Sequence, residues 1–159
     1  MLVVAVAAVA LDQASKQWAL GALTEGEPRP LVGDLLTLQL VHNSGAAFSV
    51  GAHATWVFTV ISALIVGAIA VAAPRIADLP TAWALGFLGG GAVGNLIDRL
   101  VRPPSFGQGH VVDFINYNGW FVGNVADIWI VVAALFLAVR YALSGARTER
   151  PPAESAPDE

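Results

Sequence analysis

TWVFTVISALIVGAIAVAA, residues 55–73, contains no charged side chain. A helix needs about 20 mostly apolar residues, at 1.5 Å each, to cross the hydrocarbon core of a bilayer, and this stretch has that length. Its neighbours repeat the pattern. Leu79 to Ile97 is also free of charge, and Ile128 to Val139 continues a run broken only by Asp127. The whole chain of 159 residues is 56% hydrophobic and 13% charged, against about 25% charged residues in a soluble domain. Its mean hydropathy is +0.65. Four spans fit, at about 2–23, 55–74, 80–99 and 121–143, so the fold class is an all-α membrane protein.

The same composition excludes other classes. With no cysteine, disulfides, thiol catalysis and thiolate metal sites are ruled out. His42, His53 and His110 lack the spacing of a helical metal site, so no metal and no cofactor is expected. Lysines and arginines form no patch that suits nucleic acid. The net charge of −4 includes four acids after residue 148 and says little about partners. Ala8-Val9-Ala10 resembles a signal-peptide cleavage site, but no basic segment precedes it and three further spans follow. It reads as the first span.

Between the spans lie segments of different character. Residues 24–30 (TEGEPRP) form a proline-marked turn. Leu31 to Val50 shows partial alternation, with Thr37, Gln39 and His42 polar, and reads as one or two short strands at the membrane surface. Residues 102–109 (RPPSFGQG) form a loop long enough to carry function. Val111 to Tyr117 reads as an extended piece leading into the fourth helix. From Gly145 onward, apolar surface is too scarce to fold and a disordered tail is expected. Four spans place both termini on one side. Arg75, Arg140, Arg147 and Arg150 lie there against Arg29, Arg99 and Arg102 opposite, which favours cytoplasmic termini.

Charged groups inside spanning helices cost about 2.5–3.5 kcal/mol each at mid-helix and need a partner or a task. Asp12, Lys16, Asp98, Arg99 and Asp127 all fall within or at the edge of spans, and with Asp113 most converge on one membrane face. Asp12 and Lys16 stand four apart and can pair; a structural ion pair is the preferred reading. Gly90-Gly91-Ala92-Val93-Gly94 flattens one helix surface for close packing. Below it, Asn95, Asp98 and Arg99 stack on one face. Asn124 and Asp127 share a face on the first turns of the fourth helix, where capping alone would explain the acid. Asp113 stands among apolar neighbours in Val111-Val112-Asp113-Phe114. Two carboxylates brought together share a proton near neutral pH. The ionised one takes a proton from water while the protonated one donates to a scissile carbonyl.

Five blocks then match a known family in order: Asp12-Gln13-Ala14-Ser15-Lys16, Asn43-Ser44-Gly45-Ala46-Ala47-Phe48, Gly90 through Arg99, Val111-Val112-Asp113-Phe114 and Asn124-Val125-Ala126-Asp127. Over residues 1–143 the chain resembles the lipoprotein signal peptidases (signal peptidase II). The resemblance implies catalytic aspartates at Asp113 and Asp127, with supporting or substrate-binding positions at Asp12, Lys16, Asn43, Asn95, Asp98, Arg99 and Asn124. It implies four transmembrane helices, a small extracytoplasmic β-cradle at about 31–50 and a short outer-loop helix at about 100–112. The implied enzyme sits in the bacterial inner membrane with its active site at the outer surface. It cuts diacylglyceryl-modified prolipoproteins just before the lipidated cysteine, has membrane lipid around it and is inhibited by globomycin. Asn43 and Arg99 are expected to donate to the substrate backbone, and Asn124 to orient Asp127.

Two departures stand out. Gly123 occupies a position where the family usually has phenylalanine, which puts local packing in question. Only 11 residues precede Asp12, about half the family's usual number, so an internal start at Met1 or a tilted first helix is expected. A proton-coupled transporter or channel subunit is the alternative function, because intramembrane carboxylates also relay protons; a non-enzymatic scaffold is a third. The charge-free second span argues against a relay.

Overall fold

In the computed structural model, residues 1–45 and 55–148 are described. Four helices form a bundle: α1 (Leu2–Ala22), α2 (Thr55–Ala72, prolonged by a 3-10 turn at Ala73–Arg75), α3 (Leu79–Val101) and α4 (Val125–Thr148). Two of them are long and apolar enough to cross a membrane, at Thr55–Arg75 (mean hydropathy 2.4) and Val125–Ser144 (mean hydropathy 1.9). The polar residues of α1 and the glycines of α3 dilute their hydropathy.

Helix α3 packs against the other three helices, and its glycines allow it. A Cβ at Gly91 would stand 2.6 Å from the Ala126 carbonyl oxygen, and one at Gly90 would stand 2.7 Å from the Ala8 methyl. At Gly94 a Cβ would run into the Asp12 carboxylate. The glycine run therefore brings α1 and α4 to backbone distance from α3, which no larger residue permits.

A four-stranded antiparallel sheet caps one end of the bundle, in the order β1 (Arg29–Val32), β2 (Leu36–Asn43), β3 (Val111–Tyr117), β4 (Phe121–Gly123). Pro30 cannot donate to a ladder, and it lies on the edge strand where that costs least. The register pairs Asn43 with Val111 and Val41 with Asp113. The sheet rests on the end of α1 through Ala19, Leu23, Leu40, Val112 and Phe114. The Trp18 ring meets Phe114 edge-on at 6.1 Å.

Three expectations change. The fourth helix does not begin at 121: residues 121–123 are strand β4, paired with β3, and the helix starts at Val125. Asn124 is its N-cap, and an apolar Phe-Val-Gly run before the cap suits a strand as well as a helix. The short outer-loop helix at about 100–112 is not present. Instead α3 runs to Val101, and residues 102–110 are turn and bend up to β3. Pro103, Pro104 and two glycines deny that loop the donors and dihedrals a helix needs. At the other end, α4 continues past Gly145 to Thr148. Part of the expected strand region (46–50), the second half of the Asn43–Phe48 block, and the tail after 148 lie outside the described residues.

Candidate active site

The polar residues on the sheet end of the bundle form one connected network. Asp12, Lys16, Asp98 and Asn124 are fully buried, and Asp113 is 1% exposed. Lys16 is the hub. Its ammonium lies 2.8 Å from Asp12 Oδ2, 2.8 Å from Asp98 Oδ2 and 2.9 Å from Asn95 Oδ1. All three of its N–H donors are thereby used. Arg102, partly exposed, reaches Asp98 Oδ1 at 2.7 Å from the next turn, so two buried acids face two bases. Charges buried without such pairing would be prohibitive.

Asp127 occupies the third position of α4, and Asn124 is the N-cap. The Asn124 side-chain oxygen accepts from Asp127 N at 3.1 Å, and Asp127 Oδ2 accepts from Asn124 N at 3.0 Å. This is a reciprocal capping box. The remaining oxygen, Oδ1, is turned inward and accepts from Asn95 Nδ2 at 2.9 Å. The cap therefore anchors the carboxylate and leaves its other edge facing the network.

Asp113 projects from β3. Its Oδ2 accepts from Asn43 Nδ2 at 2.8 Å and its Oδ1 from Asn124 Nδ2 at 2.6 Å. One asparagine, Asn124, thus touches both aspartates. Burial pushes the Asp113 carboxyl up to about 6. The Asn43 hydrogen bond opposes that rise, and the charge of Asp127 adds to it.

Each amide in the site has a settled orientation. The Asn43 oxygen accepts from Gly45 N at 2.7 Å, and the Asn124 oxygen is occupied by Asp127 N. The Asn95 oxygen accepts from Lys16 and, at 3.1 Å, from Asn124 Nδ2. All three consequently present N–H groups to the carboxylates. Arg99, 8% exposed, lies over the Phe58 ring at 5.7 Å. Its charge acts on Asp113, Asp127 and Asp98, yet its Nε has no hydrogen-bond partner among the described residues. A buried donor left open costs about 1–3 kcal/mol, and a peptide carbonyl is a suitable acceptor for it.

A cavity of about 240 Å³ opens beside Asp127, walled by Tyr117, Phe121, Ile128, Val131 and Val132. The rings of Tyr117 and Phe121 stack at 4.4 Å. Gly123, where an aromatic residue was expected, leaves room for this: a Cβ there would stand 3.0 Å from both Phe121 and Asp127 Oδ2. Another cavity, about 410 Å³ between α3 and α4, is lined by apolar and aromatic side chains. Among the described residues no cluster of three His, Asp or Glu side chains has the form of a metal centre.

All nine site positions read from the sequence lie at this end of the molecule, and eight join one hydrogen-bond network. Arg99 approaches it through charge alone. Sequence reasoning missed Gln13, whose amide reaches Gly94 O at 3.1 Å and Asp12 Oδ2 at 3.2 Å. It also left Arg102 among the loop charges. The spacing of four from Asp98 was the available signal.

An apolar helical bundle holding two carboxylates joined through one asparagine, with hydrogen-bond donors around them and an open cavity beside one, has the equipment of a membrane aspartic peptidase. Comparison with known proteins agrees. Residues 4–143 match the family described as Signal peptidase (SPase) II. The chain is 45% identical over 136 residues to a lipoprotein signal peptidase of Bifidobacterium longum subsp. infantis, covering 86% of this chain and 74% of the relative. It is 44% identical over 139 residues to one of Mycobacterium avium, covering 87% and 76%. Two solved bacterial membrane enzymes share the fold. One has a TM-score of 0.80 at 23% identity, covering 96% of this chain and 93% of the other. The second has a TM-score of 0.74 at 25% identity, covering 87% and 90%. The chain belongs to the signal peptidase II family and is an aspartic endopeptidase.

Proposed function

We propose that this enzyme removes the signal peptide from diacylglyceryl-modified prolipoproteins, cutting just before the lipidated cysteine, with Asp113 and Asp127 as the catalytic pair. The observation that carries the assignment is Asn124, whose side-chain amide donates to Asp113 Oδ1 while its backbone N–H donates to Asp127 Oδ2. The two carboxyls share one proton, and their titration belongs to the pair. The ionised member takes a proton from the attacking water while the protonated one donates to the carbonyl oxygen, and the resulting gem-diol collapses as the proton taken from water passes to the amide nitrogen. Such acid–base work contributes about 10²–10⁴ in rate. Arg99 supplies a donor for the substrate backbone. Asn43, its amide committed to Asp113, serves that carboxylate, while Asn95 and Asn124 hold Asp127.

The setting follows from the same reading. Residues 1–143 form one peptidase domain with four transmembrane helices, α1 and α3 turning their polar groups inward. The termini, including the 144–159 tail, are cytoplasmic, and the sheet and dyad lie at the outer surface of the bacterial inner membrane. A lipidated substrate enters sideways from the bilayer, and the apolar cavity beside Asp127 receives hydrocarbon. Globomycin competes for this site, and membrane lipid surrounds it. No observation favours transport: the polar groups gather at one end, and residues 55–73 hold no charge.

The test uses purified enzyme with a diacylglyceryl-modified prolipoprotein. Asp113→Asn and Asp127→Asn each lower cleavage by about a thousandfold or more without loss of folded protein. Unimpaired cleavage by either variant removes the dyad assignment.

A further inference from the structure

Two hydrogen bonds from the buried charge cluster go to backbone rather than to side chains. Asp12 Oδ1 accepts from Ala126 N at 3.1 Å, and Asp98 Oδ2 accepts from Val112 N at 3.3 Å. Ala126 is the residue before Asp127, and Val112 is the residue before Asp113. Both acids also bind the Lys16 ammonium at 2.8 Å. One lysine therefore joins two carboxylates, each of which grips the chain one residue ahead of a catalytic aspartate. Every group in this chain of contacts is fully buried: Asp12, Lys16, Asp98, Val112 and Ala126.

Mutual neutralisation does not require this arrangement. Lys16 pairs with Asp12 through Oδ2, which leaves Asp12 Oδ1 free to point anywhere, yet it is aimed at the Ala126 N–H on α4. Asp98 Oδ2 takes the Lys16 ammonium and the Val112 N–H of β3 together. A single planar peptide unit of fixed length separates each held N–H from the next Cα. Moving either acid therefore moves an aspartate. Gly94 closes the arrangement from behind, since a Cβ there would collide with the Asp12 carboxylate.

We propose that Asp12, Lys16 and Asp98 are positioning residues that set the separation between Asp113 and Asp127, with Lys16 as the spacer. This rests on the dyad reading above. The separation governs how strongly the two carboxylates repel each other, and hence how far apart the two apparent pKa values of the pair lie. Activity needs one proton on the pair, so the width of the pH–rate bell reports the spacing. Other charged or titratable groups facing the pair are Arg99 of α3, Lys16 of α1 and Tyr117 of β3; none is altered in the acid variants below.

The experiment records kcat, KM and pH profiles for Asp12→Asn, Asp98→Asn and Asp98→Glu with the lipidated substrate. Loss of folded enzyme lowers the height of the bell and leaves its limbs in place. Removing a negative charge without moving the dyad shifts both limbs downward together. A changed separation moves the limbs toward each other when the acids part, or away from each other when they close. Expected is a fall in kcat of about tenfold or more with KM within about twofold, and a bell whose width changes by about half a pH unit or more. Asp98→Glu keeps the charge and the pair with Lys16, so it gives a reading even if the asparagine variants fail to fold. A bell of wild-type width in Asp98→Glu and in every folded asparagine variant overturns the proposal. Asp113→Asn, run alongside, separates the two failures: its activity would refute the dyad, whereas its inactivity with unmoved widths refutes the spacer alone.

Discussion

Helices α2 and α3 lie side by side and solve opposite problems. Helix α2 has no charged residue between 55 and 73 and exposes Trp56, Leu64 and Val71. Its buried residues are Thr55 and Thr59 near one end. Helix α3 buries Gly86, Gly89, Gly90, Gly91 and Gly94 together with Asp98 and Arg99. The difference shows where specificity comes from in an apolar solvent. Lipid tails are as apolar as leucine, so hydrophobicity inserts a helix without choosing its neighbours. Small residues and polar partners make that choice, and α3 holds most of both.

That contrast can be broken or sharpened by substitution. The largest effect belongs to the charge cluster. Asp98→Ala leaves Lys16 and Arg102 short of a partner and is expected to cost about 3–5 kcal/mol in unfolding of the detergent-solubilised protein. Leu64→Ala on the exposed face of α2 stays within about 0.5 kcal/mol. Equal losses would remove the distinction between the two helices.

The next effect is pH-linked. The Asp113 carboxyl is raised from 3.8 to about 6 in the folded state, so the folded protein binds more protons than the unfolded one between those values. The stability it contributes is fully present below pH ~4 and is lost as pH rises through about 6, on the order of 2–3 kcal/mol in all. Unfolding free energies measured from pH 4 to 8 should fall in the wild type, and Asp113→Asn should flatten that component. A slope unchanged by the substitution contradicts it.

Glycines give a smaller, paired comparison. Gly94→Ala drives a methyl into Asp12 and is expected to destabilise by about 1–3 kcal/mol. At Gly67 of α2 an added methyl would meet nothing within 4 Å, so Gly67→Ala is expected to be neutral or to stabilise by up to about 1 kcal/mol. Thermal unfolding of both variants reads the difference directly. The smallest effect concerns a polar tie from α2 to the 102–110 loop, where Thr59 Oγ1 donates to Gly107 O at 2.7 Å. Thr59→Val should cost about 1 kcal/mol, seen as a modest drop in midpoint; no drop would make that bond incidental.

Much of the site could be read before any coordinates. Charges in charge-poor segments are conspicuous because lipid makes them expensive, so Asp12, Lys16, Asp98 and Asp127 announce themselves. The start of α4 was also available: Asn124 with an acid three positions on is a capping signature, which places the helix at Val125 and frees 121–123 for β4. Gln13 was harder, because a glutamine beside an aspartate reads as surface until the neighbouring helix is in place. Arg102 was legible only through its spacing of four from Asp98, which two following prolines obscure.

The sequence alone determined that the chain lives in lipid, roughly where its helices run, and which polar residues need partners, since hydropathy and spacing act within a few turns of one segment. Tertiary structure decided the pairing. It gave Asn124 to both aspartates, Asn43 to Asp113, and Lys16 to two acids that hold backbone on β3 and α4. Those contacts join residues as many as 114 positions apart, and their geometry depends on how closely glycine lets helices approach, a distance set by packing and invisible in any one segment.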